Sequence, residues 1–331
     1  LCNVPDDWAG INTGDGMIDI FYRLNGKILA SQSAKDFVNL RRENVVWIDL
    51  LSPSGEEKQA VEQFLETEIQ SRAHAEEIES SSRFSETDKA IFANTNFLIP
   101  GPEEYSMEAV SFAIVGHTLT TLRDVPLRSF TELQRKLMAM PKLYPSGYVV
   151  FVSILDQRVD LDADMIELMS KEIEQYSKRV NQEEDVNQDF LLDINQLQEN
   201  TMIVRENVVD KQRLISNMLK SDKYPRELEA RFNVLLQDIS SLLNHTNFSF
   251  ERLEYLQNTV VGLINLDLNR IMKIFTLVSL LLMPPTLVAS FYGMNVSLPI
   301  TGTSWDWLII FGIMIVSFGI FLFIFKKRKM L

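Results

Sequence analysis

Seven side chains between Asn269 and Ser290 could act together: Asn269, Met272, Thr276, Ser279, Met283, Thr286 and Ser290 recur at steps of three and four. On a helix that spacing puts them on one face. The face carries small or polar side chains and two methionines, which makes it a candidate lining for an ion path. A second reading stands beside the first, because Ser, Thr and small residues also let helices approach closely in lipid. Met272, Phe275 and Met283 could form apolar constrictions that resist wetting when closed, with Asn269 meeting a hydrated ion at the inner mouth.

Other chemistries find little support. His74, His117 and His245 are far apart, Cys2 is the single cysteine, and there is no HExxH, CxxC or nucleophile elbow. No nucleotide-binding P-loop is present, and no organic cofactor is expected. His74 lies near Glu76, Glu77 and Glu79, but such a segment reads more simply as a charged, solvated face. The chain is therefore not expected to be an enzyme.

The elements that must position the polar face are membrane spans. No charged residue occurs from Ile274 to Ser304, Asp306 stands alone, and none follows from Trp307 to Phe325. Helices of such length, at about 1.5 Å per residue, approach the roughly 30 Å hydrocarbon core. Arg270 and Lys273 precede the first span, and Lys326, Lys327, Arg328 and Lys329 follow the second, while the connector from Val296 to Ser304 has no Lys or Arg. By the positive-inside rule both termini face the cytoplasm, as expected of a multi-pass protein of the cell inner membrane. Two helices of one chain cannot readily enclose an aqueous path, so several copies are required.

The rest of the chain is acidic. The whole carries −13; residues 271–331 hold five positive charges against one negative, so residues 1–270 carry −17. That balance argues against a nucleic-acid partner and suits the attraction of metal cations, although ordinary solubility would account for it as well. Strand-like runs at Met17–Leu24, Val45–Leu51, Ala90–Ile99, Ala109–Val115 and Thr118–Arg123 predict a small α/β domain over residues 1–145. A helix is expected from Ser54 to Phe64, with Glu56 and Glu57 in its first turn.

From Val149 to Lys220 the composition turns helical, which predicts two long antiparallel helices in a region spanning 146–270. After the break at Ser221 to Pro225 comes a long apolar stripe: Leu228, Phe232, Leu235, Ile239, Leu242, Thr246, Phe250, Leu253, Leu256, Val260 and Leu263. No proline interrupts Arg226 to Met283, so a single stalk helix should run directly into the first span of a two-helix domain at 271–331. The stripe needs a partner, either the chain's own helical region or copies around an axis.

The first span closes on Tyr292, Gly293, Met294 and Asn295, after Pro284, Pro285 and Thr286, in the segment MPPTLVASFYGMN. With NRIMKIFTLVSLLLMPPTLVASFYGMN from Asn269 to Asn295, WIDLLSPSGEE from Trp47 to Glu57 and EEIESSSRF from Glu76 to Phe84, the chain resembles the CorA family of divalent-cation transporters, the Gly-Met-Asn superfamily. The resemblance implies a CorA-like funnel: a homopentamer with an α/β cytoplasmic domain, a long stalk helix and two C-terminal transmembrane helices, the first forming an inner ring. It implies movement of Mg2+, with Co2+ and Ni2+ as further ions, driven by the membrane potential. Gly293, Met294 and Asn295 become the selectivity filter, and Met272 and Phe275 gate positions.

The chemistry suits that motif. Mg2+ dehydrates reluctantly, so a ring of Asn295 carbonyls, sized for a hydrated ion, is better matched to it than a carboxylate cage. Gly293 would let the backbone turn out of the helix, while Tyr292 and Met294 would brace the loop against neighbouring subunits. Family members are thought to close when cytoplasmic Mg2+ is high, which makes Mg2+ a regulator as well as the substrate.

Two departures affect these expectations. The stalk position that often carries a sensing Asp falls on Val234, with Asp238 one turn on as the suspected substitute. The outer loop reads VSLPITGTSWDW and keeps only Asp306, where many relatives are acidic. A zinc transporter of the ZntB branch is therefore the alternative cargo reading, and a membrane-tethered coiled-coil scaffold the alternative of another class.

Overall fold

The computed structural model describes residues 17–69, 83–101, 105–182, 187–294 and 305–327 of the 331. They fall into two compact units, Leu1–Gln257 and Asn258–Leu331. Cys2, His74, the acidic residues that follow it, and Asn295 with the outer loop as far as Ser304 lie outside the described residues.

The first unit is built on strands β1 (Met17–Leu24), β2 (Lys27–Ser31), β3 (Val45–Leu51), β4 (Phe84–Glu86), β5 (Ala90–Ile99), β6 (Ser106–Val115) and β7 (Thr118–Arg123). They form one sheet in the order β2-β1-β3-β7-β6-β5-β4. Only β3 and β7 pair in parallel; the other neighbours are antiparallel. Strand β2 goes beyond the sequence expectation. Its signal was the pair Asn25-Gly26, whose φ values of 52° and 77° make the tight turn that matches strand twist.

Helix α1 (Gly55–Leu65) is where its start signals put it. Ser54 accepts from the Glu57 amide while the Glu57 carboxylate accepts from the Ser54 amide, a complete capping box. Its Val61 and Leu65 meet Ile18, Ile20, Ile48 and Leu50 on one face of the sheet. The other face receives α2 (Arg128–Ala139) and α3 (Gly147–Asn181) through aromatic contacts. Phe21 stacks on Trp47 at 5.1 Å, Trp47 lies 5.8 Å from Phe130, and Phe112 meets Phe151 edge-on at 5.1 Å. Gly147 is required where α3 begins, because a Cβ there would sit 2.3 Å from the Leu119 amide nitrogen. Helix α2 was not foreseen, since it falls between the last strand and the compositional change near Pro145.

Helix α4 (Gln188–Lys220) runs antiparallel to α3, since Tyr176 meets Phe190 at 5.3 Å and Asp162 meets Lys211 at 2.9 Å. Helix α5 (Glu229–Tyr292) then runs antiparallel to α4. Gln212 donates to Ser240 at 3.4 Å, Arg205 to Asn247 at 2.8 Å and Gln257 to Asn195 at 2.8 Å, so one number falls as the other rises. The long apolar stripe is thereby assigned to the chain's own helices: Phe232, Ile239, Thr246, Leu253 and Val260 are wholly buried. Both α3 and α4 also pack on the sheet, so the change of composition near residue 145 marks a change of element inside one compact unit.

The second unit holds the end of α5 and helix α6 (Asp306–Lys327). Both helices are long and apolar enough to cross a membrane, and within the apolar stretch of each only 6% of residues are buried. Helix α5 is continuous over 64 residues, about 95 Å at 1.5 Å per residue, as the absence of proline before Pro284 implied.

Candidate functional site

The polar face of the first span is set by helical phase alone. Helix α5 continues through Pro284 and Pro285, which remove two backbone donors and leave the carbonyls of Leu280 and Leu281 without their usual partners four residues on. Leu277, Leu281, Pro284, Pro285, Val288 and Tyr292 make a stripe of reduced exposure along this stretch. Helix α6 carries a stripe at the same kind of spacing in Ile310, Met314, Ser317, Phe318, Phe321 and Phe325. Leu277 and Phe325, each 8% exposed, are the buried members of the two stripes.

Ser279, Met283, Thr286 and Ser290 lie on the far side of α5 from its stripe of reduced exposure, and helical steps continue that face back through Thr276 and Met272 to Asn269, with Phe275 beside it, in a stretch where every residue from Asn265 to Thr276 is exposed. All eight are exposed; Met272, Phe275 and Met283 keep 63%, 65% and 65% of their surface. Ser279, Met283, Thr286 and Ser290 are brought together with Leu282, Leu287, Phe291 and Met294 around a groove of about 640 Å³. Of the four flanking apolar residues, Leu282, Leu287 and Phe291 were not singled out from sequence, and their signal was only adjacency to the polar face.

The hydroxyls are oriented by the helix. Thr276 Oγ1 donates to the Met272 carbonyl at 2.8 Å, and Thr286 Oγ1 donates to the Leu282 carbonyl at 2.7 Å. Each proton is held by the backbone, so each oxygen keeps its lone pairs for an outside donor such as an ion's hydration water. Uncharged acceptors in an apolar surround can hold such water without the deep electrostatic well of a carboxylate.

Gly293 follows the helix, its N–H donating to the Ala289 carbonyl at 2.9 Å. A Cβ at Gly293 would lie 3.1 Å from that same oxygen. That is a tight contact rather than a clash, and the φ of Gly293 is outside the left-handed region that the expected turn would use. Tyr292 is half-buried and packs edge-on against Phe291 at 5.6 Å, while Met294 is exposed.

Asp238 is exposed on α5, near enough to Asp156 of α3 to act on its charge. Burial pushes the Asp156 carboxyl above the usual range; its hydrogen bond and charge pairing with Arg231 oppose this, and Asp160 and Asp238 reinforce it. Among the described residues no group of three or more His, Cys, Asp or Glu is arranged to hold a metal ion. A wider cavity of about 920 Å³ lies in the first unit, where Arg83, Arg205 and Arg213 face Glu199, Glu206 and Asp210. Its charges balance, so it offers no donor set selective for a cation, and the groove on α5 is the better site.

Comparison with known proteins gives the same direction. The family described as "CorA-like Mg2+ transporter protein" matches residues 42–327. A magnesium transport protein CorA of Wolinella succinogenes is 33% identical over 321 residues, covering 95% of this chain and 100% of the relative. One from Campylobacter jejuni is 32% identical over 298 residues, covering 86% of this chain and 91% of the relative. The complete structure of the CorA magnesium transporter from Methanocaldococcus jannaschii superposes with a TM-score of 0.76 at 16% identity, over 96% of this chain and 99% of that one.

Proposed function

This chain belongs to the CorA-like Mg2+ transporter family, and we propose that it carries Mg2+ across a membrane through a pore on the axis of a homo-oligomer. The observation that carries this reading is the exposed polar face that begins at Asn269 and, from Ser279 to Ser290, lies opposite the stripe of reduced exposure from Leu277 to Tyr292. A single chain leaves that face open, and copies arranged around an axis would turn it inward.

In this reading the assembly is a homopentamer, and Thr276, Ser279, Thr286 and Ser290 present rings of acceptors to a hydrated ion. Met272, Phe275 and Met283 narrow the path and dewet it in the closed state. Asn269 stands at the cytoplasmic mouth. At the other end Gly293 and Met294 position Asn295, whose carbonyls select for an ion that keeps its water. Residues 271–331 form the membrane domain, in the cell inner membrane, and both termini are cytoplasmic. Co2+ and Ni2+ follow the same path, and Asp238 takes part in closure at high cytoplasmic Mg2+.

An inside-negative potential supplies the drive. It contributes about 2.3 kcal/mol per charge per 100 mV, and about twice that for a divalent ion. No coupled hydrolysis is needed.

The test is uptake into liposomes holding the purified protein, with an imposed potential, a pH-gradient control and the Asn295→Ala variant, followed for Mg2+, Co2+, Ni2+ and Zn2+. Potential-driven Mg2+ uptake that the substitution abolishes supports the reading. Zinc uptake tied to the proton gradient would assign the chain to a zinc-transporting branch. No flux from an assembled oligomer would leave a scaffold as the better description.

A further inference from the structure

Helix α5 carries two seams with the 3.5-residue spacing of coiled helices, on opposite faces. The first is the buried stripe, stepping by three and four through Phe232, Leu235 and Ile239. The second steps by three and four through Val234, Gln237, Ser241, Asn244, Phe248, Glu251 and Tyr255, and every one of these residues is exposed. Counted onward in the sequence, the same steps pass through Asn258, Gly262 and Asn265 and arrive at Asn269, Met272 and Thr276 without a break. The exposed stalk seam and the proposed pore face are in one register.

Helices that coil around a common axis keep residues of one heptad seam at that axis. The composition of this seam is wrong for a dry zipper, because Gln237, Ser241, Asn244, Asn258 and Asn265 would be buried with their amides and hydroxyl short of partners. It is right for a wet path. Phe248 and Tyr255 are the large exceptions, 64% and 70% exposed and one heptad apart, with Glu251, the only charged side chain of the seam from Val234 to Asn269, between them.

We infer that Phe248 and Tyr255 form two successive aromatic rings around the cytoplasmic part of the ion path, a constriction distinct from the one at Met272, Phe275 and Met283. The inference rests on the proposed transport reading and adds a residue set that controls passage below the membrane. Apolar rings a heptad apart raise the cost of wetting the path between them. The Glu251 carboxylates between the rings favour a cation once water enters.

The experiment uses the full-length protein in a Cys2→Ser background, so that an added cysteine is the sole thiol. Phe248→Cys, Tyr255→Cys and Thr276→Cys are reconstituted, and a positively charged thiol reagent is admitted to the cytoplasmic side while Mg2+ influx is read. Lys171→Cys, exposed on α3, is the control. Loss of most of the influx at positions 248, 255 and 276, with none at 171, is expected. Block at 276 alone overturns the inference and leaves the transport reading standing, whereas no influx from any untreated protein overturns both. Phe248→Leu and Phe248→Ser provide a second measurement. Low resting influx with leucine and severalfold higher influx with serine is expected; equal influx overturns the constriction. Loss of assembly in both sets would make the aromatics a dry packing seam and overturn it as well.

Discussion

Lys211 shows how strongly position decides the behaviour of a single group. It is wholly buried, donates to Asn207 Oδ1 at 2.6 Å and to the Asn96 carbonyl at 3.2 Å, and lies 2.9 Å from Asp162 Oδ2, off the direction of a hydrogen bond. Burial, opposed by Asp162, lowers its pKa from 10.5 to about 8. Between those values the unfolded chain holds a proton that the folded chain has released, so stability rises with pH, by about 1.4 kcal/mol per unit at most. Burial raises Tyr105, Tyr144, Tyr148 and Tyr176 above 10, and there the folded chain keeps protons that the unfolded one loses. Thermal unfolding of the first unit, followed by circular dichroism of the whole protein in detergent, should therefore shift upward from pH 8 to 10 and fall beyond. Lys211→Met should flatten the rise. At the pore end, Gly293→Ala places a methyl 3.1 Å from the Ala289 carbonyl, and reduced Mg2+ influx with unchanged oligomer mass is the expected result.

At the scale of elements, two different requirements meet in α5. Its inner seam supplies stability, and Phe232→Ala, which empties a wholly buried position, is expected to cost about 3–5 kcal/mol in chemical denaturation of the first unit. Phe248 on its outer seam is 64% exposed, so Phe248→Ala should change that unit's stability by less than about 0.5 kcal/mol while altering influx. The contrast separates the two faces of one helix by measurement. Helix α1 gives a smaller local case: Ser54→Ala removes one half of the capping box and should cost about 1 kcal/mol.

For the whole molecule, the decisive quantity is the number of copies. Five copies of the 38.1 kDa chain come to about 190 kDa, and light scattering of the detergent-solubilised protein should return that mass after subtraction of bound detergent. In the proposed assembly the −17 carried by residues 1–270 would bring like charges together around the axis, so cations are expected to strengthen it. Removal of Mg2+ by chelation is expected to loosen the packing of the first units of neighbouring copies, seen as faster proteolysis within residues 1–257, with the mass retained. Asp238→Asn should lessen that response if its carboxylate takes part in closure.

Much of this was legible because periodicity and charge are local. The two long apolar helices, strands β1, β3, β5, β6 and β7, the Ser54 start of α1 and the continuity of α5 each follow from spacing, capping and the absence of proline over short windows. Helix α2 and strands β2 and β4 escaped because α2 sits between louder signals, β2 is a five-residue edge strand marked only by its Asn25-Gly26 turn, and β4 is three residues long. The sequence by itself determined that one face of the first span is polar and that a stripe runs the length of the stalk, since helical phase is fixed once the helix is. Only the tertiary structure decided which face of the stalk is covered. Both seams share the same spacing, and the choice belongs to α4, whose Asn195, Arg205 and Gln212 meet Gln257, Asn247 and Ser240 from far along the chain. Burial is a relation between distant segments, and no single window of residues contains it.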